Sequence, residues 1–532
     1  MSNKPKRSGL QAIDWKIFLP SLLLILIVSV PLALYETESL ELLNGIFDQI
    51  VANFGWGYIW YATLLLVAGL YLSFSKYGKV VLGAPDEKPR FSLMSYASIL
   101  IAMGLGSTIM RTGMVQWAEV ANNPPFGIAA GSTDAMLWGN AYAMYMWSFQ
   151  IFSIFVMTAP AIAYVIHVKK RPMMRVSEAT RVIFGDRFTD GIGGILIDIL
   201  FLVSILSGAA VTLGLGTPII TSNLAALMNI EVTFTMTMIV TLIWVALFSL
   251  SAYLGIEKGI KRLSVLNIYL AAILALFILV IGPGIFILDY FTDSIGHLLN
   301  NYMTYSFFTD SMAVEQTAHM RSHMIFWIAY SATWAMLHSV FAAKISKGRT
   351  IKEMILTYLL APTALSWIAT GILGGLGVHR QLNGQLDILA LAENQEAVQM
   401  IPDILQTLPW SGLVMVLYII IAMIFLTTTL DSTTFTIAAY TSRNDMSEND
   451  PSKFLRIFVA LIITGLALVL MQIGGLAPLE VISGMMGLPI IVLQFLTIYA
   501  VKKMIDEDEA WKYNIRKPDD TATDDEYGYS KQ

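Results

Sequence analysis

Residues 99–117, ILIAMGLGSTIMRTGMVQW, hold the decisive contradiction of this chain. The stretch is apolar enough to lie in a bilayer, yet Gly104, Gly106 and Gly113 weaken its helix and Arg111 sets a full charge within it. A charge near the bilayer centre costs roughly 2.5–3.5 kcal/mol on insertion scales, so Arg111 is expected to face protein or an aqueous cavity. Irregular backbone survives at that depth only where protein buries it or it lines a cavity, and an interrupted span points to a membrane binding site. The competing reading is close helix packing through small residues, with Arg111 snorkelling to an interface.

The chain around this stretch has the same solvent. Of 532 residues, 56% are hydrophobic and 13% charged, and the mean hydropathy is +0.66. That is a polytopic membrane protein and not a soluble enzyme. The absence of Cys excludes disulfides, thiolate metal sites and cysteine nucleophiles. The first apolar run follows MSNKPKRSG, has span length and lacks a small-residue cleavage site, so it is expected to be a retained helix.

Apolar runs of span length recur about twelve times, centred near Ile25, Leu65, Gly106, Phe152, Ser207, Thr241, Ala275, Trp334, Ser366, Leu426, Ile463 and Val492. Lys and Arg concentrate in the amino terminus, residues 76–90, 169–187, 258–262, 344–352, 443–456 and from 502 onward. The intervening loops are acidic or neutral, so both termini are expected to be cytoplasmic, in a bacterial-type inner membrane. Residues 290–308, YFTDSIGHLLNNYMTYSFF, place Ile295, Leu298, Leu299, Tyr302 and Met303 opposite Asn300, Asn301 and Thr304, an amphipathic interfacial helix. The acidic tail from Asp506 is expected to be largely disordered.

Two spans carry unusual side chains. In the eighth, Trp327, Tyr330, Trp334, His338 and Phe341 form one helical stripe. Such a stripe is packing or lipid contact unless its ring faces gather around a cation. In the tenth, FLTTTLDSTTF (residues 425–435) packs hydroxyls and Asp431 into an apolar helix. Hydroxyls there can bond back to their own helix, or they can offer oxygens to a hard cation such as Na⁺.

The run AAKISKGRT after the aromatic stripe resembles a signature of the betaine/carnitine/choline transporter family. NNPPFG at residue 122, VTLGLGTPIIT at 211, KGIKRLSVLN at 258, YFTDSIG at 290, TLDS at 429 and GGLAPLE at 474 extend the likeness over most of the chain, leaning toward the carnitine branch. The resemblance implies an all-α membrane transporter of twelve helices. Residues 1–14 would form a cytoplasmic segment, 15–92 two amino-terminal helices, 93–289 and 321–503 two inverted five-helix repeats, 290–320 the amphipathic helix and loop, and 504–532 the acidic tail. It also implies a midplane site for a small zwitterion, and a homotrimer.

Carried over by position, the resemblance places a cage tryptophan on Trp147 and aromatic replacements on Phe152 and Phe155. Its eighth-helix box becomes Tyr330, Ser331 and Trp334, with His338 at a substrate-ligand position. Arg111 stands where the betaine transporter has a Phe. Trp147, Phe152, Tyr330 and Trp334 would take a methylated cationic head while Arg111 pairs with an anionic end or, alternatively, with Glu119 or Asp431. For a coupling Na⁺, the resemblance implies the carbonyls of Ala102 and Leu105 and the hydroxyls of Thr428 and Thr429. Asn267 stands where the sodium-independent carnitine antiporter carries an Arg, and Ile205 and Ala209 lack the hydroxyls of a second sodium site. The expectation is therefore Na⁺-coupled uptake of a betaine-like zwitterion, with sodium-independent exchange as the alternative. A membrane enzyme or receptor would need a catalytic cluster or soluble domain, and the sequence has no HExxH, GxSxG or P-loop pattern. No cofactor beyond the ion and no nucleic-acid partner are expected.

Overall fold

The computed structural model describes residues 7–106, 108–309, 311, 318–394, 397–447, 449–472 and 487–516. The described residues form helices joined by short connections, with only isolated β-bridges between segments. In hydrocarbon this is the solution a chain must adopt unless it closes a barrel, because a helix satisfies its backbone groups within one segment.

Two helices open the chain, α1 (Trp15–Leu34) and α2 (Glu36–Phe74). The stretch that opened the sequence reading is two helices, α3 (Leu93–Gly104) and α4 (Thr108–Asn122). As a span, this pair bends by 52°. The next span runs from Thr133 to Val168 and contains α5 (Thr133–Met146) and α6 (Phe149–Val156). There follow α7 (Ile192–Met228), α8 (Phe234–Leu254), α9 (Lys261–Ile281) and the surface helix α10 (Gly284–Ser306). The second half has α11 (Ala318–Ile345), α12 (Ile351–Leu382), α13 (Ala397–Gln406), α14 (Ser411–Tyr440), α15 (Lys453–Gln472) and α16 (Gly487–Glu507). Among the described residues nine helices are long and apolar enough to cross a membrane, or ten with the bent pair. The sequence reading expects about twelve; α1 and α15 are 20-residue helices outside that set.

Burial separates inner from outer spans. The span Thr133–Val168 is buried over 94% of its most apolar window, whereas Lys261–Ile281 is buried over 22%. The first therefore lies at the centre of the bundle and the second presents leucines and isoleucines to lipid. Exposed apolar residues such as Val280 and Ile192 need no partner protein in that setting.

The basic loops gather on one face, and both described ends of the chain lie there. Ile13 pairs with Ser442, and Asp14 accepts from Arg175 Nη2 at 2.9 Å. At the other end, Val80 pairs with Ile515, and Asn514 Nδ2 donates to the Val81 carbonyl at 2.8 Å. This corrects the expectation of disorder for the first part of the acidic tail, residues 506–516. Residues 506–516 run across the basic face, tied by Lys76 to Asp506 (2.8 Å), Lys169 to Asp508 (2.6 Å) and Arg516 to Glu353 (3.3 Å). Composition alone missed it because the acidic groups find fixed cations there. Residues 517–532, and GGLAPLE at 474, lie outside the described residues.

The amphipathic helix is also placed differently. α10 begins at Gly284, not near residue 290, and its inward face is Ile287, Ser294, Leu298 and Tyr305. Leu299 and Met303, expected on the same apolar face as Leu298, are exposed. The face the protein covers includes small polar groups that hydrogen-bond to α5, as Ser294 Oγ does with Asn140 Nδ2 at 2.9 Å. The more apolar face, with Ile285, Leu288, Leu299 and Met303, is left exposed.

Candidate functional site

The break between α3 and α4 is enforced by one glycine. Gly106 adopts φ +51°, and a Cβ there would stand 2.9 Å from Thr429 Oγ1 on α14. Both the left-handed backbone and the lack of space require glycine. Gly113 serves the competing role, because a Cβ there would touch the Thr370 backbone of α12 at 3.4 Å. The two readings of this stretch are therefore both realised, at different glycines.

A second break lies in the central span, and it has no glycine or proline. After Met146 the backbone leaves the helix at Trp147 (φ −116°, ψ 54°) and Ser148 (φ −126°, ψ −165°). The carbonyls around the break acquire side-chain donors, Met144 O in addition to the Trp147 N–H it accepts at 3.2 Å. Trp367 Nε1 donates to Met144 O and Trp327 Nε1 to Met146 O, both at 3.2 Å, and Ser148 Oγ donates to Tyr145 O at 2.6 Å. Unmet carbonyls at this depth would cost several kcal/mol each, so these donors make the kink tenable.

The two breaks and α11 enclose a cavity of about 100 Å³. Met103 to Gly106 form one wall and Arg111 stands at one side. Trp147 and Phe155 face them, and Trp327, Tyr330, Ser331, Trp334 and His338 contribute the α11 wall. Trp147 and Trp327 meet edge to face at 5.2 Å, and Tyr330 and Trp334 do so at 6.2 Å. Trp334 fits because Gly208 on α7 leaves the ring 3.2 Å from where a Cβ would be. Trp147 Nε1 is buried without a hydrogen-bond partner among the described residues. His338 stacks on Phe155 with centroids 4.1 Å apart and shares a 2.7 Å hydrogen bond from Nδ1 with Tyr358 Oη.

Two expected residues take other positions. Phe152 does not line the cavity. It packs behind the wall, 6.2 Å from Trp147 and 6.1 Å from Phe155 between ring centroids, because it points along α6 toward Gly104. Asp431 is not a partner of Arg111: it pairs with Arg456 of α15 and accepts from Ser251 Oγ of α8 at 2.6 Å. Arg111 instead meets Glu119 at 3.7 Å, both groups partly exposed. An exposed pair of that kind contributes about 0–1 kcal/mol, so a bound anion can replace it.

The hydroxyl run of α14 resolves into two kinds of oxygen. Thr428 Oγ1 lies 3.0 Å from Ile424 O and 2.9 Å from Phe425 O, both on its own helix. Thr429 Oγ1 reaches across to Ala102 O at 3.1 Å while also lying 3.0 Å from Phe425 O. Thr428 Oγ1 therefore stays on its own helix, whereas Thr429 Oγ1 bridges the open end of α3 to α14. Leu105, also expected here, closes the last turn of α3, its N–H donating to Ile101 O at 3.0 Å.

Sequence reasoning missed the cavity residues Thr212, Gly216 and Ile219 of α7. These three recur at helical spacing within VTLGLGTPIIT, a motif noticed only for its resemblance. Their spacing was the available signal. Among solved structures, the chain is similar to a Na⁺-coupled sialic acid symporter in a substrate-bound outward-open state. The identity is 14% and the TM-score 0.44, with 84% of this chain and 86% of that one covered, a likeness that assigns no residue and no solute. The model of the betaine/carnitine/choline transporter family matches residues 16–510, nearly the whole chain, and the protein belongs to that family.

Proposed function

We propose that the protein is a Na⁺-coupled symporter for a compact betaine-like zwitterion, working by alternating access between two inverted five-helix repeats. The observation that carries this reading is the composition of the cavity wall. Aromatic faces of Trp147, Trp327, Tyr330 and Trp334 offer a cationic head roughly 0.5–2 kcal/mol per contact, and Arg111 on the same cavity offers an anion a charged donor. A simple cation such as choline gains the rings but meets Arg111 as a like charge. The ion would sit among Ala102 O, Leu105 O, Phe425 O, Thr428 Oγ1 and Thr429 Oγ1, where hard oxygens gather at an interrupted helix. The basic face would be cytoplasmic, with both termini inside an inner membrane, and the exposed stripe of α10 would serve a homotrimer.

Uptake and counterflow of glycine betaine, carnitine, γ-butyrobetaine and choline in proteoliposomes, with and without a Na⁺ gradient, test this reading. Gradient-driven accumulation of a zwitterion is the expected result. Exchange that ignores Na⁺ would reject the symport and leave the exchanger. Arg111→Phe is expected to weaken zwitterion uptake about tenfold to a hundredfold, the range for losing a hydrogen bond to a charged group, while leaving or improving choline uptake. Equal effects on both solutes would remove Arg111 from the solute site.

A further inference from the structure

The central span breaks at the residue that walls the cavity, and the break is held from outside the bundle. Ser148 is fully buried, and its single hydroxyl hydrogen is committed to Tyr145 O at 2.6 Å. The Ser148 oxygen also lies 3.0 Å from Tyr302 Oη. Since the serine has no second hydrogen, Tyr302 is the donor in that bond. Tyr302 sits on α10, the surface helix on the face opposite the basic loops, whose neighbouring residues Leu299 and Met303 are exposed. Its ring is fixed edge to face on Tyr145 at 5.3 Å, and it lies 6.2 Å from Phe149, so both flanks of the break hold it in place.

We infer that Tyr302 is a positioning residue for Trp147: by holding Ser148 in its extended conformation it sets the angle of the cavity's tryptophan wall and hence the affinity for solute. This deepens the proposed solute site and rests on it. The peptide after Trp147 has left the helix, so no intrahelical ladder fixes its orientation. What holds it is the pair of flanking backbone bonds, Trp147 N–H to Met144 O and Phe152 N–H to Ser148 O, together with the side-chain bonds at the kink, of which Tyr302–Ser148 is the shorter of two that reach α10, Tyr145 Oη lying 3.5 Å from Ser306 Oγ. A shift of α10 along the membrane surface is thereby passed to Trp147, one residue from Ser148, without any contact between α10 and the solute.

The test uses full-length protein labelled with 5-fluorotryptophan in nanodiscs, the Trp147 resonance being assigned by its loss in Trp147→Phe. Tyr302→Phe keeps the ring packing and removes the hydroxyl that joins α10 to Ser148 and to the Gln150 backbone at the start of α6. It is expected to shift or split the Trp147 resonance and to raise the dissociation constant of the bound zwitterion about threefold to tenfold, the range for one buried neutral hydrogen bond. Ser148→Ala should move the resonance at least as far, because it also removes the donor to Tyr145 O, and adding Tyr302→Phe to it should change little, as two partners of one bond require. Tyr305→Phe is the control. It removes a hydroxyl on the same helix that lies 3.4 Å from Trp138 O, away from the kink, and should leave the Trp147 resonance in place. A Trp147 resonance that responds to glycine betaine or carnitine yet is unmoved by Tyr302→Phe, or additive effects in the double variant, would overturn the inference. A resonance indifferent to every solute tested would instead overturn the solute site itself, and the inference with it.

Discussion

Replacing Asp431 by alanine lowers the stability of the protein by about 3–5 kcal/mol, the cost of leaving one partner of a buried ion pair alone. Asp431 has no exposed surface and Arg456 is 3% exposed, so the guanidinium left behind cannot turn to solvent. It would remain over the Phe435 ring, 5.4 Å from its centroid, with an Nε that has no partner among the described residues. The measurement is thermal unfolding of the purified protein in detergent, where the single variant should melt well below the parent. Replacing both charges, Asp431→Leu with Arg456→Met, should recover much of the loss, because two apolar groups of similar size leave nothing unpaired. An unchanged melting temperature for Asp431→Ala would mean that the pair does not join α14 to α15 as described.

The second large effect concerns the ion. Thr429→Val removes the hydroxyl that, among the described residues, bridges the unwound end of α3 to α14, and should weaken the apparent Na⁺ affinity for uptake about tenfold to a hundredfold. Thr428→Val should cost less, because its hydroxyl is turned to carbonyls of its own helix. Valine keeps the shape of threonine, so packing between the helices is preserved and the readout is the Na⁺ concentration for half-maximal uptake in proteoliposomes. Equal Na⁺ dependence in Thr429→Val and the parent would exclude the oxygen cluster as the coupling site.

These two residues also mark where sequence reading stopped. FLTTTLDSTTF announces an unusual span, but periodicity alone does not say which hydroxyl crosses to a neighbour. Thr428 and Thr429 differ only in azimuth, and the difference acquires meaning once α3 lies against α14 with its last turn open. Asp431 was open to pairing with Arg111 by charge alone. The fold instead brings Arg456, 25 residues further along the chain, against it. Phe152 was expected in the cage on chemistry that Trp147 and Phe155 share, and its place on α6 puts it one layer back. Trp147 and Trp334, by contrast, line the cavity together, and the interrupted span at Gly106 lies beside them.

The amino-acid sequence by itself determined the solvent and the first break. Apolar runs about twenty residues long admit one environment, and the only residue that tolerates the left-handed turn against Thr429 is written there as Gly106. Only the tertiary structure decided the second break, at Trp147 and Ser148. No local residue there forbids a helix. The kink is tenable because the α11 indole and the Ser148 hydroxyl donate to Met146 O and Tyr145 O, and the α12 indole adds a second donor to Met144 O, in an interior where an unmet carbonyl is costly.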